Sequence, residues 1–467
     1  MMDLKGKKVL VVGLGKSGLA AALFLRRRGA QVTVSDIRSA EALAKDIPAL
    51  LDEGIMVEAG GHGLLTFRRQ DLIVVSPGVP LDTPELVQVE AFGLPVIGEL
   101  ELAARFLKGN AIAITGSNGK TTTTALVGEI LESAGLPTLV GGNIGVPVVS
   151  LIDKSTEDTW SVLEVSSFQL ETTEQFHPVV AVILNITPDH LDRHGSFENY
   201  ALAKERIFAA QTEKDFVVLN ADNARAAASA TRSVARIFWF SIEHSVPMGA
   251  WVDEGHVLFR FSPDAQPESV MPLSSIPLKG AHNIENVLAA VCASRLAGAS
   301  AAAIYRAVGS FKAVEHRLEY VATLNGVEFY NDSKATNVDA TSKAIAAFSS
   351  GIHLILGGKD KNSDYTQLAD LLRSRVRSVY TIGSAAPKIE SQLRGIVSLH
   401  SCETLDRAVS AAAAAAHPGE IVLLAPACSS FDQFESYEHR GRIFKELVNE
   451  WQSLSSYPAG AKRSAPS

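Results

Sequence analysis

The chain lacks most of what would mark a secreted, metal-clustered or membrane-embedded protein. It has three cysteines in 467 residues: Cys292, Cys402 and Cys428, odd in number and far apart. They make neither a disulfide framework nor a metal cluster, and a reducing cytoplasm is the expected setting. No apolar run is long enough to cross a bilayer. Lys5-Gly6-Lys7-Lys8 leads straight into a strand pattern, without the long apolar segment of a secretory signal. The net charge of −8 offers no general attraction to nucleic acid or anionic membrane. What is there is ordinary: 46% apolar and 20% charged residues, as in a soluble globular protein. The length suits roughly two to four domains.

Strand and helix patterns alternate along the chain, which predicts parallel, doubly wound α/β sheets. In the first region strands are expected at 9–12, 31–35 and 71–76, with a helix over 18–28. A helical connector over 99–109 leads to a second region with strands at 110–114, 161–165, 179–185 and 216–220 and a helix near 200–210. A third region shows strands at 353–356, 378–382 and 421–425. The expected domains are 1–98, 99–313 and 314–467, the first and third Rossmann-like and the second like a phosphate-loop ATPase. The tail from about 454 is expected to be disordered.

The most informative stretch is Thr115 to Thr124. An apolar strand feeds Gly116-Ser117-Asn118-Gly119-Lys120-Thr121-Thr122, and a helical pattern follows. The glycines let backbone N–H groups approach phosphate oxygens, Lys120 adds a cation, and Thr121 offers a hydroxyl to Mg²⁺. The loop is shorter than the common form, because Ile114 stands where that form has its first glycine. A threonine-rich helix start is the bland reading, but strand, glycines, lysine and hydroxyl together favour phosphate.

Gly13-Leu14-Gly15-Lys16-Ser17-Gly18 opens a helix after a strand, and Asp36 closes the next strand. This fits a dinucleotide fingerprint, although Lys16 and Ser17 are more polar than such a turn needs and suit another phosphate-bearing ligand. Glu164 ends a strand beside the phosphate loop, where a carboxylate holds Mg²⁺ or simply caps a helix. Asp189-His190-Leu191-Asp192-Arg193-His194 follows another strand end. A solvated loop is the default for such a run, yet α/β sheets place their chemistry at strand carboxyl ends. Spacing alone does not select Lys204. In the third region polar clusters occur at 316–319, 331–337, 357–361 and 426–434. Three of these loops at the strand ends of one sheet predict a substrate edge.

Taken in order, these motifs resemble the Mur ligase family, the ATP-dependent amino-acid ligases of peptidoglycan precursor synthesis in bacteria. Three segments carry the resemblance: Glu164-Val165-Ser166-Ser167-Phe168-Gln169-Leu170-Glu171, Asn331-Asp332-Ser333-Lys334-Ala335-Thr336-Asn337, and Pro426 to Phe434. The short phosphate loop is the family's form. The resemblance implies a UDP-sugar domain, an ATPase domain, and a third domain for the base side of ATP and the incoming amino acid. It implies that ATP phosphorylates the carboxylate of UDP-N-acetylmuramoyl-L-alanine and that the amine of D-glutamate then displaces phosphate. By family match Lys120, Glu164, His190 and Lys204 are catalytic, Lys204 as a carbamate. Thr121, Glu164, His190 and Lys204 hold Mg²⁺, expected as two ions. Asn286, Arg317 and Asp332 join the loop residues in binding ATP. Lys16, Ser17, Asp36, Arg38, Ser76 and Asn143 meet the UDP-sugar. Thr336, Lys361, Ser430 and Tyr437 meet D-glutamate, Lys361 being the better match of the two lysines in its loop. A monomer acting on small molecules, without nucleic-acid or membrane partners, is expected.

The competing readings are an NAD-dependent oxidoreductase, a nucleotide-binding switch without catalysis, and a sibling ligase for another amino acid. The oxidoreductase leaves Lys120, Glu164 and the third region unexplained. A folate polyglutamate ligase should lack the separate first domain.

Overall fold

The computed structural model describes residues 2–312 and 314–455, so the expected tail lies almost wholly outside the described residues. Three sheets follow one another along the chain. The first holds β1 (Lys8–Val12), β2 (Gln31–Asp36), β3 (Met56–Ala59), β4 (Leu72–Val75) and β5 (Val96–Gly98), in the order β3-β2-β1-β4-β5. All its pairs are parallel. Residues 9–12 are buried on both faces, as a parallel sheet requires. The helix Lys16–Arg27 starts two residues earlier than its apolar pattern, because Gly15 is extended and turns the chain directly into it.

The second sheet holds β6 (Asn110–Thr115), β7 (Thr138–Gly142), β8 (Trp160–Glu164), β9 (Val180–Ile183), β10 (Phe216–Asn220), β11 (Arg236–Ser241), β12 (Gly249–Asp253), β13 (His256–Arg260) and β14 (Glu268–Pro272). The order is β14-β13-β12-β11-β10-β9-β6-β8-β7. Pairing is parallel up to β12 and antiparallel beyond it. The alternation of strand and helix does not predict this antiparallel edge. Its turn, Glu254-Gly255, has both residues at positive φ, and Glu is a weaker hairpin signal there than Asn or Asp. The connector helix expected over 99–109 ends at Ala104.

The third sheet holds β15 (Glu319–Leu324), β16 (Val327–Asn331), β17 (Ile352–Gly357), β18 (Val376–Ile382), β19 (Ser398–Glu403) and β20 (Ile421–Leu424), in the order β15-β16-β20-β17-β18-β19. The β15–β16 hairpin turns at Asn325-Gly326, and the other pairs are parallel. The last strand in sequence therefore inserts between β16 and β17. This brings the carboxyl ends of β16, β20 and β17 side by side.

The chain forms two compact units. One holds the first two sheets up to Pro277, with Ile284–Phe311; the other holds Leu278–Asn283 and the third sheet. The first unit has a continuous apolar core through residues such as Phe24, Leu102, Leu163 and Ile183. All three cysteines are buried and free. No helix among the described residues is long and apolar enough to cross a membrane.

Candidate active site

The phosphate loop leaves the carboxyl end of β6, a central strand of its sheet. Gly119 has φ +89, and a Cβ there would overlap the side-chain oxygen of Asn286. A glycine is needed both for the turn and for that approach. The helix Lys120–Ser133 begins at once, so its first N–H groups and the positive end of its dipole face the loop. Lys120 Nζ donates to the carbonyls of Gly116 at 2.8 Å and Ser117 at 3.0 Å. Ser117 Oγ donates to the Thr187 carbonyl at 2.8 Å, and the amide of Asn118 donates to Asn185 Oδ1 at 2.9 Å. Thr123 Oγ1 lies 3.4 Å from Asn286 Oδ1. The loop is thus held by the segment after β9 and by the helix Ala281–Leu296. Thr122 is buried in its first turn.

Glu164 ends β8 and is 1% exposed. One carboxylate oxygen accepts from Thr121 Oγ1 at 2.8 Å, and the other accepts from Asn143 Nδ2 at 2.9 Å. Glu164 does not cap the helix after β8, whose N-terminus is capped by Ser166 and Gln169.

Lys204 lies on the helix Phe197–Glu205, 1% exposed, and donates to the Gly116 carbonyl at 2.9 Å. Its Nζ sits over the Tyr200 ring at 4.4 Å. Burial, and then the nearby Lys120 ammonium, push its pKa well below the ordinary lysine range, against the pull of Asp189 and Glu164. His190 has the left-handed φ of 52°. Its Nε2 is 3.7 Å from Asp189 Oδ2, and its ring meets Phe168 edge-on. Asp189 and His190 closely follow Thr187, whose carbonyl accepts from Ser117 Oγ.

A cleft of about 750 Å³ opens at the carboxyl ends of the first sheet. Lys16, Ser17, Asp36, Arg38, Ser76 and Asn143 all line it, with exposed Ile37 between two of them. Asp36 accepts from the Leu14 amide at 2.6 Å and from Arg38 through Nε at 3.0 Å and Nη2 at 2.8 Å. Burial acts upward on its pKa, but these donors outweigh it and hold the carboxyl down at about 2. Ser76 Oγ donates to the Gly13 carbonyl at 2.6 Å. Asp36 and Ser76 therefore shape the turn, while Lys16 and Ser17 line the cleft at the start of their helix. Asn143 belongs to the cleft wall and also touches Glu164, so cleft and phosphate loop adjoin at one hydrogen-bonded carboxylate.

In the second unit the loops after β16, β20 and β17 carry Thr336, Ser430 and Lys361. Lys359 and Ser429 exchange backbone hydrogen bonds at 2.9 and 3.1 Å, and the Ala427 amide donates to the Ala335 carbonyl at 2.9 Å. Tyr437 begins the helix Tyr437–Ser455, with Lys334 Nζ 3.8 Å from its ring centre. Asp332 and Arg317 are neighbours. Burial pushes the Asp332 carboxyl up to about 7 despite the Arg317 cation and the Leu318 amide.

Three domain families match in sequence. They are the Mur ligase MurD-like N-terminal domain over residues 7–98, the Mur ligase middle domain over 114–294 and the Mur ligase glutamate ligase domain over 316–428. A protein of Acidobacterium capsulatum named UDP-N-acetylmuramoylalanine–D-glutamate ligase is 71% identical over 461 residues, covering 97% of this chain and 100% of its own. The chain belongs to the Mur ligase family. A protein of the same name from Koribacter versatilis is 61% identical, covering 96% of this Mur ligase and 98% of its own chain. Among solved structures, MurF ligase from Thermotoga maritima in complex with ADP is similar in fold, with a TM-score of 0.60 and 18% identity over 96% of this chain and 100% of that one.

Two residues of this site carry little local signal in the sequence of this Mur ligase, Tyr200 and Asn185. Tyr200 stands four residues before Lys204 on one helix, a spacing that puts both on one face. Asn185 carries none, because its partner Asn118 comes from a distant segment.

Proposed function

We propose that this Mur ligase joins D-glutamate to UDP-N-acetylmuramoyl-L-alanine, forming ADP and phosphate. The carrying observation is the Glu164 carboxylate shared by Thr121 and Asn143. A phosphate-loop side chain and a wall of the sugar-nucleotide cleft meet there. A ligase that phosphorylates its sugar-nucleotide substrate needs that adjacency. A carboxylate oxygen attacks the γ-phosphorus of ATP, and ADP leaves. The amine of D-glutamate then attacks the acyl carbon, phosphate departs, and the amine loses a proton as the amide forms.

Attack by an anion on a triphosphate meets like-charge repulsion, which Lys120 and the N–H groups of Gly116 to Thr122 offset. A hydroxyl on Thr121 beside a buried carboxylate on Glu164 is a hard-oxygen donor pair suited to Mg²⁺. His190 and a carbamylated Lys204 would complete the set for two ions, and Mg²⁺ held there would neutralise further phosphate charge. Burial lowers the Lys204 pKa and so favours the unprotonated, nucleophilic amine that adds CO₂, and the resulting carbamate supplies an anion where an ammonium would repel metal. Asn286, Arg317 and Asp332 contact the remainder of ATP. Lys16, Ser17, Arg38 and Ser76 hold the UDP-sugar, with Asp36 acting through Arg38 and the Leu14 amide. Thr336, Lys361, Ser430 and Tyr437 hold D-glutamate. In this reading 1–98, 99–313 and 314–467 are the three working domains, and the enzyme is a cytoplasmic monomer.

The test is phosphate release from ATP and UDP-N-acetylmuramoyl-L-alanine against amino acids of both hands. D-Glutamate alone should support turnover, and Lys120→Ala should abolish it. Equal turnover with another amino acid, or wild-type turnover by Lys120→Ala, contradicts the reading.

A further inference from the structure

The proposed amino-acid subsite is carried by three loops and a helix start, and one buried side chain reaches all of them. Arg440 is fully buried on the helix Tyr437–Ser455. Its Nε donates to Ser333 Oγ at 2.9 Å, and its Nη2 donates to the carbonyls of Ser333 at 2.8 Å and Cys428 at 3.2 Å. Its Nη1 donates to the Cys428 carbonyl at 3.2 Å and to that of Ser429 at 3.5 Å. Ser333 Oγ passes the contact on to the Tyr437 carbonyl at 2.9 Å. A Cβ on Gly358 would stand 3.1 Å from Nη1, so the third loop rests against the edge of the guanidinium.

The acceptors are carbonyls and one hydroxyl, with no carboxylate among them. Burial brings the guanidinium down to about 10, which still leaves it charged at neutral pH. A buried cation without a directly paired anion is costly, and an apolar side chain would suit a merely structural position better. What arginine adds is a rigid fork whose donors fix several acceptors in one plane.

We propose that Arg440 is a positioning residue for the amino-acid subsite, setting the spacing of the loops that carry Thr336, Lys361 and Ser430 around Tyr437. The proposal rests on the ligase reading above. Arg440 is too buried to touch substrate, so its effect is on geometry, and displacement of a binding group by about an ångström costs on the order of a hundredfold.

The experiment measures KM for each substrate in wild type, Arg440→Lys and the milder Ser333→Ala. The first half-reaction is followed separately by trapping the acyl phosphate with hydroxylamine, which gives the hydroxamate and phosphate. Arg440→Lys should raise KM for D-glutamate by about tenfold or more, and Ser333→Ala by about threefold, roughly the loss of one hydrogen bond. KM for ATP and for the UDP-sugar, and the rate of hydroxamate formation, should stay within about twofold. A rise shared by all three substrates, or a D-glutamate KM unchanged in both variants, overturns the proposal. If Arg440→Lys does not fold, Ser333→Ala decides it alone. Wild-type enzyme that forms hydroxamate yet ignores D-glutamate instead sinks the ligase reading, which is a distinct result.

Discussion

At the scale of single residues, two carboxyl groups are driven in opposite directions. Asp36 falls from 3.8 to about 2, because Arg38 and the Leu14 amide overcome its burial. A depressed carboxylate contributes stability that is present above its unfolded pKa and lost as pH falls through the folded one. The shift corresponds to about 2 kcal/mol. Asp36→Asn should lose that much in urea unfolding near neutral pH, and the gap from wild type should close as the pH approaches about 2. Asp332 moves the other way, from 3.8 to about 7. Between those values the native state holds the extra proton, so this group's contribution to stability falls as pH rises. In the proposed ATP site, ionised Asp332 is the stronger hydrogen-bond acceptor. KM for ATP should therefore drop as pH rises through about 7, and Asp332→Asn should flatten that dependence. Lys204→Ala should lose nearly all activity, with partial recovery when a small carboxylic acid supplies the missing anion. Full activity without the acid would show that no carbamate is needed.

At the scale of elements, both glycine turns work by close approach. A Cβ on Gly18 would overlap the Gly13 carbonyl, and one on Gly119 would overlap Asn286. Gly18→Ala should weaken UDP-sugar binding while sparing ATP. Gly119→Ala should do the reverse, each measurable by calorimetric titration of the single ligand. These turns were legible in the sequence because their glycines, lysines and hydroxyls are contiguous between a strand and a helix. The meeting of Asn143 with Glu164 was not, because β7 and β8 become neighbours only when the sheet forms. Arg440 was less legible still: Ser333 lies 107 positions away, and no short pattern encodes that pairing. The antiparallel edge after β12 was hidden for a local reason, since Glu254-Gly255 is a weak turn signal.

At the scale of the whole molecule, the proposed duties divide between two compact units with separate cores. In hydrogen exchange, UDP-sugar should protect amides around 13–18 and 76–84 in the first unit. D-Glutamate should protect those around 331–337 and 426–434 in the second. Protection of the first set by D-glutamate would contradict that division. The three buried thiols turn this architecture into its own gauge. Cys292 belongs to the first unit, and Cys402 and Cys428 to the second. Burial raises the pKa of each, Cys428 to about 11, so none is a ready nucleophile while folded. The rate at which a thiol reagent captures each cysteine therefore reports how often the structure around it opens. Cys428, whose carbonyl Arg440 holds, times the breathing of the proposed amino-acid subsite without any label being engineered.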